Sequence, residues 1–441
     1  MKINTPNHTF THEGAIATNL TSYQQLRRAT LACMLFEDTF YEDGKSICHR
    51  IKKLCESCSC DEIMDVALDA SETYYLRHVP LQLIVEALKK PIKSSNISDI
   101  INLIIKRPDM MTDLLALYWK DGKKSLANQL KRGLAKAFTK FDEYQLSKYN
   151  RDNPIKLRDV LFLCHAKPKD AQQEDLWKRL INKTLAIADT WETRLSAGKD
   201  KKETFQQLLE NNKLGKLAIL RNLRNMRDAG LNKEFVGHKL LENTKPMLPF
   251  QYIAAAKEVP DWEDIIDPSM IQACAMKEKI TGSTIVLVDV SGSMKSAISS
   301  KSKMLLIDAA CGMAILLREC LDKCQILTFS ENLADVPLRH GMALRDAIIA
   351  SQQSQGTLLG EALKYILSNS LLVFERIIVI TDEQSSDEIP MMRTRKNYIL
   401  NIGPYKNGIG NRKKWTTITG FSEASIDYIR EHEALYEREL E

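Results

Sequence analysis

The chain has 441 residues, 44% of them hydrophobic, so it is long enough for two or more domains with packed cores. No segment approaches the ~18 apolar residues of a membrane-spanning helix, and the N-terminal MKINTPNHTF lacks the apolar core of a signal peptide. We therefore expect a soluble, cytoplasmic protein. The net charge of +5 is unevenly distributed. The part from Thr281 onward has 18 basic and 20 acidic residues, whereas the part before it has 44 basic and 37 acidic residues. The basic first part favours an anionic partner, of which nucleic acid is the common one.

Between about Ser22 and Leu241, apolar residues recur at helical spacing in short segments such as LRRATLACMLF, DIINLIIKR and LAKAFTKF. Proline and glycine residues separate these segments, and no strand pattern lies between them. Helices this short need neighbours to bury their apolar faces. The pattern predicts an all-α stack of antiparallel helix pairs similar to an α-solenoid, although no repeated consensus is visible.

The ten cysteines are scattered, and several lie inside apolar helical patterns, where a thiol behaves as a small hydrophobic group. Cys55, Cys58 and Cys60 follow Cys48 and His49 closely, which places soft ligands at a spacing that zinc can use. A structural zinc site usually has two spaced pairs of ligands, so free thiols in a reduced protein are the favoured interpretation.

One predicted helix, KKSLANQLKRGLAKAFTKF, has a basic stripe opposite its apolar face, because Arg132, Lys136 and Lys140 follow one another at intervals of four residues. Such a stripe can follow a phosphate backbone, but it is also typical of an ordinary solvated helix face. Further basic residues lie nearby in the sequence, namely Lys148, Arg151, Lys167 and Lys169. Together they are the candidate RNA-binding residues of the helical part.

The apolar pattern changes near Thr281. The segments STIVLVDV, CQILTFS, RIIVITD and KNYILNIG read as short buried strands separated by helices. Alternating strands and helices predict a doubly wound parallel sheet, with a ligand site at the carboxyl ends of its strands. The boundary between the two parts is expected between residues 265 and 281.

Oxygen-bearing side chains follow three of these segments. Asp289, Ser291 and Ser293 alternate in the loop after the first strand, Thr357 precedes a helix, and Asp382 ends a later strand. Carboxylate and hydroxyl oxygens suit Mg²⁺ or another divalent cation such as Mn²⁺. Their order predicts one metal site at one edge of the sheet, whereas a tight turn is the structural alternative for the first three residues alone.

The five metal candidates resemble the metal-ion-dependent adhesion site of von Willebrand factor A domains. Other phrases resemble the Ro autoantigen family, in which a helical TROVE module precedes an A domain: Lys148-Tyr149, the run from Cys164 to Pro168, LAILRNLRNM, and WTTITGFSEASIDYI near the end. The last phrase is similar to bacterial relatives in particular, so a bacterial or phage member is expected.

The resemblance implies a ring of HEAT-like helical repeats in residues 1–270, closed by a von Willebrand A domain in residues 281–441. It implies that small structured Y RNAs bind the basic outer surface and that misfolded RNA ends enter the central hole. Lys148 and His165 match the family positions that contact Y RNA. From the residues alone, a hydrogen-bonded core histidine is the favoured interpretation of His165.

We therefore expect a non-catalytic, monomeric RNA-binding scaffold with a metal-dependent docking site for a protein, for which an exoribonuclease is plausible by analogy. The alternative is an adhesion or assembly adaptor whose helical solenoid binds protein instead of RNA. A metal-dependent hydrolase is a third possibility, with Glu383 and Asp387 as the nearest candidates for a general base.

Overall fold

The computed structural model describes residues 9–32, 37–39, 42–92, 94, 96–244, 247–369, 372–392, 396–403, 405–410 and 414–438. Over this part of the chain, no helix has the length and the apolar character that crossing a lipid bilayer requires.

Between Ser22 and Ala275, the secondary structure of the described chain is helical. The helices are α1 (Ser22–Leu31), α2 (Gly44–Ser57), α3 (Cys60–Glu72), α4 (His78–Ala87), α5 (Ile97–Ile104), α6 (Asp109–Tyr118), α7 (Asn128–Phe138), α8 (Glu143–Tyr149), α9 (Leu157–Cys164), α10 (Ala171–Ile181), α11 (Trp191–Ser196), α12 (Lys201–Glu210), α13 (Lys216–Asp228), α14 (Lys233–Glu242), α15 (Pro249–Glu258) and α16 (Glu263–Ala275). Several begin at caps that the sequence supplies. Thr21, Ser59 and Asp142 each accept a hydrogen bond from the backbone N–H three residues on, which satisfies a donor that the helix leaves unpaired.

Residues 21–35 and 48–200 contain one compact unit, in which alternate helices pack on one another. Helix α1 packs on α3, α3 on α5, α5 on α7 and α7 on α9, while α4 packs on α6. This two-layer stacking is the arrangement of an α-solenoid. Helices α5 and α7 approach each other closely at Gly133, where an added Cβ would lie 2.7 Å from the Cβ of Ile101.

The described parts of residues 1–20, 36–47 and 201–441 form the second compact unit, which contains the sheet. Its strands are β1 (Ile280–Asp289), β2 (Leu321–Phe329), β3 (Leu333–Asp335), β4 (Arg376–Thr381), β5 (Asn397–Asn401) and β6 (Thr416–Thr419). They lie in the order β3-β2-β1-β4-β5-β6, and only the edge pair β2–β3 is antiparallel within the described residues. The order reverses between β1 and β4, so a ligand site is expected where these two strands end.

The central strands β1, β4 and β5 are largely buried because helices cover both sides of the sheet. These helices are α17 (Leu306–Cys320), α18 (Gly341–Ala350), α19 (Leu359–Ser368) and α20 (Ala424–Arg438). Ile285, Leu287 and Val379 share a buried cluster with Leu359 and Leu363 of α19. Helix α17 packs on β1, β2 and β4. The predicted fold class, a helical-repeat region followed by a mostly parallel sheet with flanking helices, is confirmed.

The compact units divide the chain near residue 200, because α15 packs on α17, and α16 packs on α17 and α18. The last helices before the sheet therefore share its core. The predicted domain ranges, 1–270 and 281–441, instead follow the change from helices to strands.

The cysteines of the zinc candidate are buried in the helical packing. Cys48 and Cys55 lie in α2, Cys58 follows it, and Cys60 begins α3. Burial raises the pKa of the Cys55 thiol to about 12, and burial also raises the pKa of Cys48 and Cys58. Since a metal is bound by the thiolate, this environment favours packing as their role. Cys33 lies outside the described residues.

Candidate metal centre and basic surfaces

The metal candidates lie at the carboxyl ends of β1 and β4, where three segments of the second unit meet. Gly292 N donates a hydrogen bond to Gln355 O at 2.9 Å, and Ser330 Oγ donates one to Gly356 O, also at 2.9 Å. The first bond holds the segment before Thr357 beside the loop that follows β1, and the second holds it beside the end of β2. Asp382 reaches the same edge because β4, which it follows, pairs directly with β1.

Asp289 is fully buried at the centre of this edge. One carboxylate oxygen accepts from Ser291 N at 2.9 Å and the other from Thr381 Oγ1 at 2.6 Å. Burial, followed by the nearby Asp382 carboxylate, raises the pKa of Asp289 to about 7. A divalent cation would neutralise the charge of two carboxylates that are buried together at this edge.

The hydroxyl candidates lie on segments that meet at the same edge of the sheet. Ser291 Oγ and Ser293 Oγ are 3.3 Å apart, and Ser291 is fully buried. Thr357 is buried too, and its carbonyl accepts hydrogen bonds from Ser385 Oγ at 3.2 Å and Ser386 Oγ at 2.8 Å. The structure thus brings the segments of all five predicted ligands to one edge.

These donors suit Mg²⁺ or Mn²⁺ better than a softer metal, because all of them are carboxylate or hydroxyl oxygens. In the described part of the chain, no group of three or more His, Cys, Asp or Glu side chains could hold a metal ion. A site at this edge therefore depends on its serine and threonine hydroxyls as well as on its two carboxylates.

Thr381 was not among the sequence-predicted residues. Its hydroxyl donates to Asp289 and accepts from Glu383 N at 3.0 Å, so it orients the central carboxylate and the loop that follows β4. The available signal was its position as the last residue of a buried strand, directly before Asp382.

Glu383 and Asp387, the candidates for a general base, have structural partners. Asp387 accepts from the N–H groups of Gly360 at 2.8 Å and Glu361 at 2.7 Å, so it caps the start of α19. Glu383 is fully buried with a positive φ of 62°, and Thr417 Oγ1 donates to it at 3.3 Å. These contacts favour structural roles for both side chains.

Lys148 lies near the C-terminal end of α8 in the first unit, on an exposed surface that is rich in aromatic rings. Its Nζ is 5.7 Å from the ring centroid of Tyr144 and 5.8 Å from that of Tyr149. The Arg107 guanidinium lies 4.8 Å from the Tyr149 centroid. Lys148 forms no ion pair with any described residue, so its charge faces solvent.

A pocket of about 270 Å³ lies beside this surface. The residues that line it are Ser147, Asn150, Arg151, Asp152, Lys156, Arg158, Leu180, Lys183 and Leu185. Lys156 pairs with Asp152 at 2.6 Å, and this hydrogen bond holds the pKa of the Asp152 carboxyl below its usual value. The other three cations contact no carboxylate of the lining, which leaves the pocket an excess of positive charge.

The predicted basic stripe on α7 is partly engaged within the helical stack. Lys136 pairs with Asp99 of α5 at 2.5 Å, and Lys140 donates to the carbonyls of Asn102 and Ile105 at the end of α5. Arg132 is exposed. Two of the three cations thus stabilise the contact between α5 and α7, which favours the structural interpretation of this stripe.

His165 is exposed and caps the C-terminal end of α9 in the left-handed conformation, with φ of 52° and ψ of 42°. This position excludes the core histidine that was its alternative. Lys167 and Lys169 follow it on the surface. His165 lies one helix length, about 12 Å, from the pocket residues Lys156 and Arg158 at the other end of α9.

The chain matches one protein-family model and a solved structure, whereas no curated protein sequence matches it. Residues 178–263 match the TROVE domain. Among solved structures, the fold is similar to that of the Ro (RSR) protein of Deinococcus radiodurans, with a TM-score of 0.57 and 15% sequence identity over 92% of this chain and 98% of that one. The predicted resemblance to the Ro autoantigen family is confirmed. Residues 178–263 are thus similar to the TROVE domain, and the chain shares the fold of the bacterial Ro (RSR) protein.

Proposed function

We propose that this protein is a non-catalytic scaffold that binds small structured noncoding RNA of the Y RNA kind. The observation that supports this most strongly is the exposed Lys148, which lies over two tyrosine rings beside a pocket with excess positive charge. Cations of this kind bind backbone phosphates, and aromatic rings stack on unpaired bases. Binding of misfolded RNA ends, a closed ring, a monomeric state and a cytoplasmic location stay predictions from the sequence.

A filter-binding titration with a stem-loop RNA at several salt concentrations tests this proposal. We expect the affinity to fall steeply as salt rises, and the combined Lys148→Ala and His165→Ala variant to bind at least tenfold more weakly. Lys178→Ala is a matched control, because Lys178 is an exposed lysine that pairs with Glu174. Salt-independent binding, or equal affinity of the double variant and the control, would contradict the proposal.

We further propose that the edge at Asp289 and Asp382 holds Mg²⁺ or Mn²⁺ with the help of Ser291, Ser293 and Thr357. Support comes from the burial of the two carboxylates together and from the oxygen character of every donor. A bound divalent cation would supply a position at which a carboxylate from a partner protein, such as an exoribonuclease, completes the coordination.

Calorimetric titration with Mn²⁺ tests the site itself. Asp289→Ala and Asp382→Ala are expected to abolish binding, whereas Ser300→Ala, which removes an exposed hydroxyl outside the site, should retain it. For docking, we expect a purified exoribonuclease to bind in Mg²⁺ and to be released by EDTA. Metal-dependent protein binding without any RNA binding would instead support the adaptor function.

The proposal includes no catalytic activity. RNA incubated with the protein and Mg²⁺ is expected to stay intact, as judged by gel electrophoresis. Cleavage that disappears in Asp289→Ala would contradict this part and support a metal-dependent hydrolase.

A further inference from the structure

The N-terminal segment from Thr9 to Leu20, here called the arm, packs against the sheet unit that carries the candidate metal site. It folds back on itself in a turn in which Thr11 N donates to Ala15 O at 2.9 Å, and Phe10 and Ile16 pair as an antiparallel bridge. Ala15 belongs to the buried cluster that includes Leu287 of β1. The arm is therefore part of the core of this unit.

The arm contacts the loop that follows Asp382 through two hydrogen bonds. Thr11 Oγ1, on a side chain only 5% exposed, donates to Ser385 O at 2.9 Å. His12 N donates to Gln384 Oε1 at 2.7 Å. Both bonds span more than 370 residues of sequence.

Gln384 and Ser385 are in turn bonded to the metal candidates. Gln384 N donates to Asp382 Oδ1 at 3.1 Å, and Gln384 Nε2 donates to Asp382 O at 3.0 Å. Ser385 Oγ donates to Thr357 O at 3.2 Å. One short segment held by the arm thus connects to two of the five predicted ligands.

A second attachment holds the neighbouring loop. Asn407 Nδ2 donates to Phe10 O at 2.9 Å, and Thr18 N donates to Gly408 O at 2.9 Å. Gln384 Nε2 also donates to Asn407 O at 2.9 Å, which joins the two loops. The arm is therefore hydrogen-bonded to both the loop after β4 and the loop after β5.

We propose that the arm is a positioning element of the metal site, in which Thr11 and the backbone N–H of His12 fix the loop that follows Asp382 and is hydrogen-bonded to the carbonyl of Thr357. This inference rests on the proposed metal site. The carboxylates of Asp289 and Asp382 repel each other when both are ionised. Without the arm, the loop after β4 would therefore let the Asp382 carboxylate move away from Asp289. The arm keeps the ligands close together before a cation binds, which reduces the ordering that binding requires.

Three single substitutions and one control test the proposal by calorimetric titration with Mn²⁺. Thr11→Val removes the hydroxyl at nearly constant volume, and Thr11→Ser retains it. His12→Pro removes the backbone donor at the second position of the turn, where proline is a favoured residue. Thr9→Val is the control, because the Thr9 hydroxyl bonds within the arm, to Ala17 O and Asn19 Oδ1.

We expect Thr11→Val and His12→Pro to weaken Mn²⁺ binding at least fivefold, with Thr11→Ser and Thr9→Val within twofold of the wild type. Hydrogen exchange should also become faster in residues 382–386 of the two weakened variants. Wild-type affinity in Thr11→Val, with exchange unchanged, would overturn the inference. If the wild type and Thr9→Val bind no Mn²⁺ at all, the proposed metal site itself fails and the inference falls with it.

Discussion

Three of the cations that line the pocket beside Lys148 contact no carboxylate of the lining. Replacing these three is predicted to reduce the salt dependence of RNA binding. The variant combines Arg151→Gln, Arg158→Gln and Lys183→Gln, and leaves Lys156 paired with Asp152. Each phosphate contact contributes a slope of about −0.9 to a plot of log affinity against log salt. Loss of three contacts therefore reduces the steepness by about 2.7.

This change is large enough to measure. A fourfold increase in salt, from 50 to 200 mM, then costs the wild type about 40-fold more affinity than it costs the variant. The assay is fluorescence anisotropy of a labelled stem-loop RNA at five salt concentrations. The control removes the same charge outside the pocket, with Lys178→Gln, Lys199→Gln and Lys202→Gln. Equal slopes for the wild type and the pocket variant would refute the assignment of phosphate contacts to this pocket.

Three further predictions concern packing and the metal site. Gly133→Ala should cost about 1–3 kcal/mol of unfolding free energy in urea, because the new methyl group meets Ile101, and an unchanged midpoint would contradict this packing. Glu433→Gln should lower the unfolding free energy by about 3–5 kcal/mol in the same assay, because it leaves the buried Arg376 guanidinium without its charge partner. A loss below about 1 kcal/mol would show that this ion pair is not needed for stability. Mn²⁺ affinity should fall by up to about tenfold for each pH unit below pH 7, because the pKa of Asp289 is raised to about 7 and a proton then competes with the cation. Constant affinity from pH 8 to 5.5 would contradict this prediction.

Much of the fold follows from local patterns in the sequence. The helices of the first part have apolar residues at helical spacing and capping residues such as Ser59 at their starts. The run IVLVD is buried throughout because β1 is a central strand with helices on both faces. Asp289 ends that strand, so the topology alone places it at the edge where ligands bind.

The parts that could not be predicted depend on partners distant in sequence. The arm has little helical or strand periodicity, and nothing in the phrase THEG indicates that Thr11 bonds to Ser385. The spacing of Lys136 and Lys140 places them on one helix face, but only the packing of α7 on α5 shows that they bond to that helix.

The pocket beside Lys148 was missed for a related reason. Lys156, Arg158 and Lys183 come from segments that are unremarkable in sequence, and they meet only because the ends of α8, α9 and α10 lie together. Arg151 was the one lining residue among the predicted RNA contacts. A basic cluster assembled from three helix ends has no linear motif, so spacing arguments cannot find it.

The most direct test of the proposed RNA-binding function is to identify the RNA that the protein carries. The protein is expressed in its native host, purified at low salt, and its bound RNA is sequenced beside that of the Lys148→Ala and His165→Ala double variant. We predict enrichment of one or a few small structured noncoding RNAs with the wild type and their loss from the variant. Recovery of no RNA above a mock purification, or of the same RNA with both proteins, would contradict the proposed function.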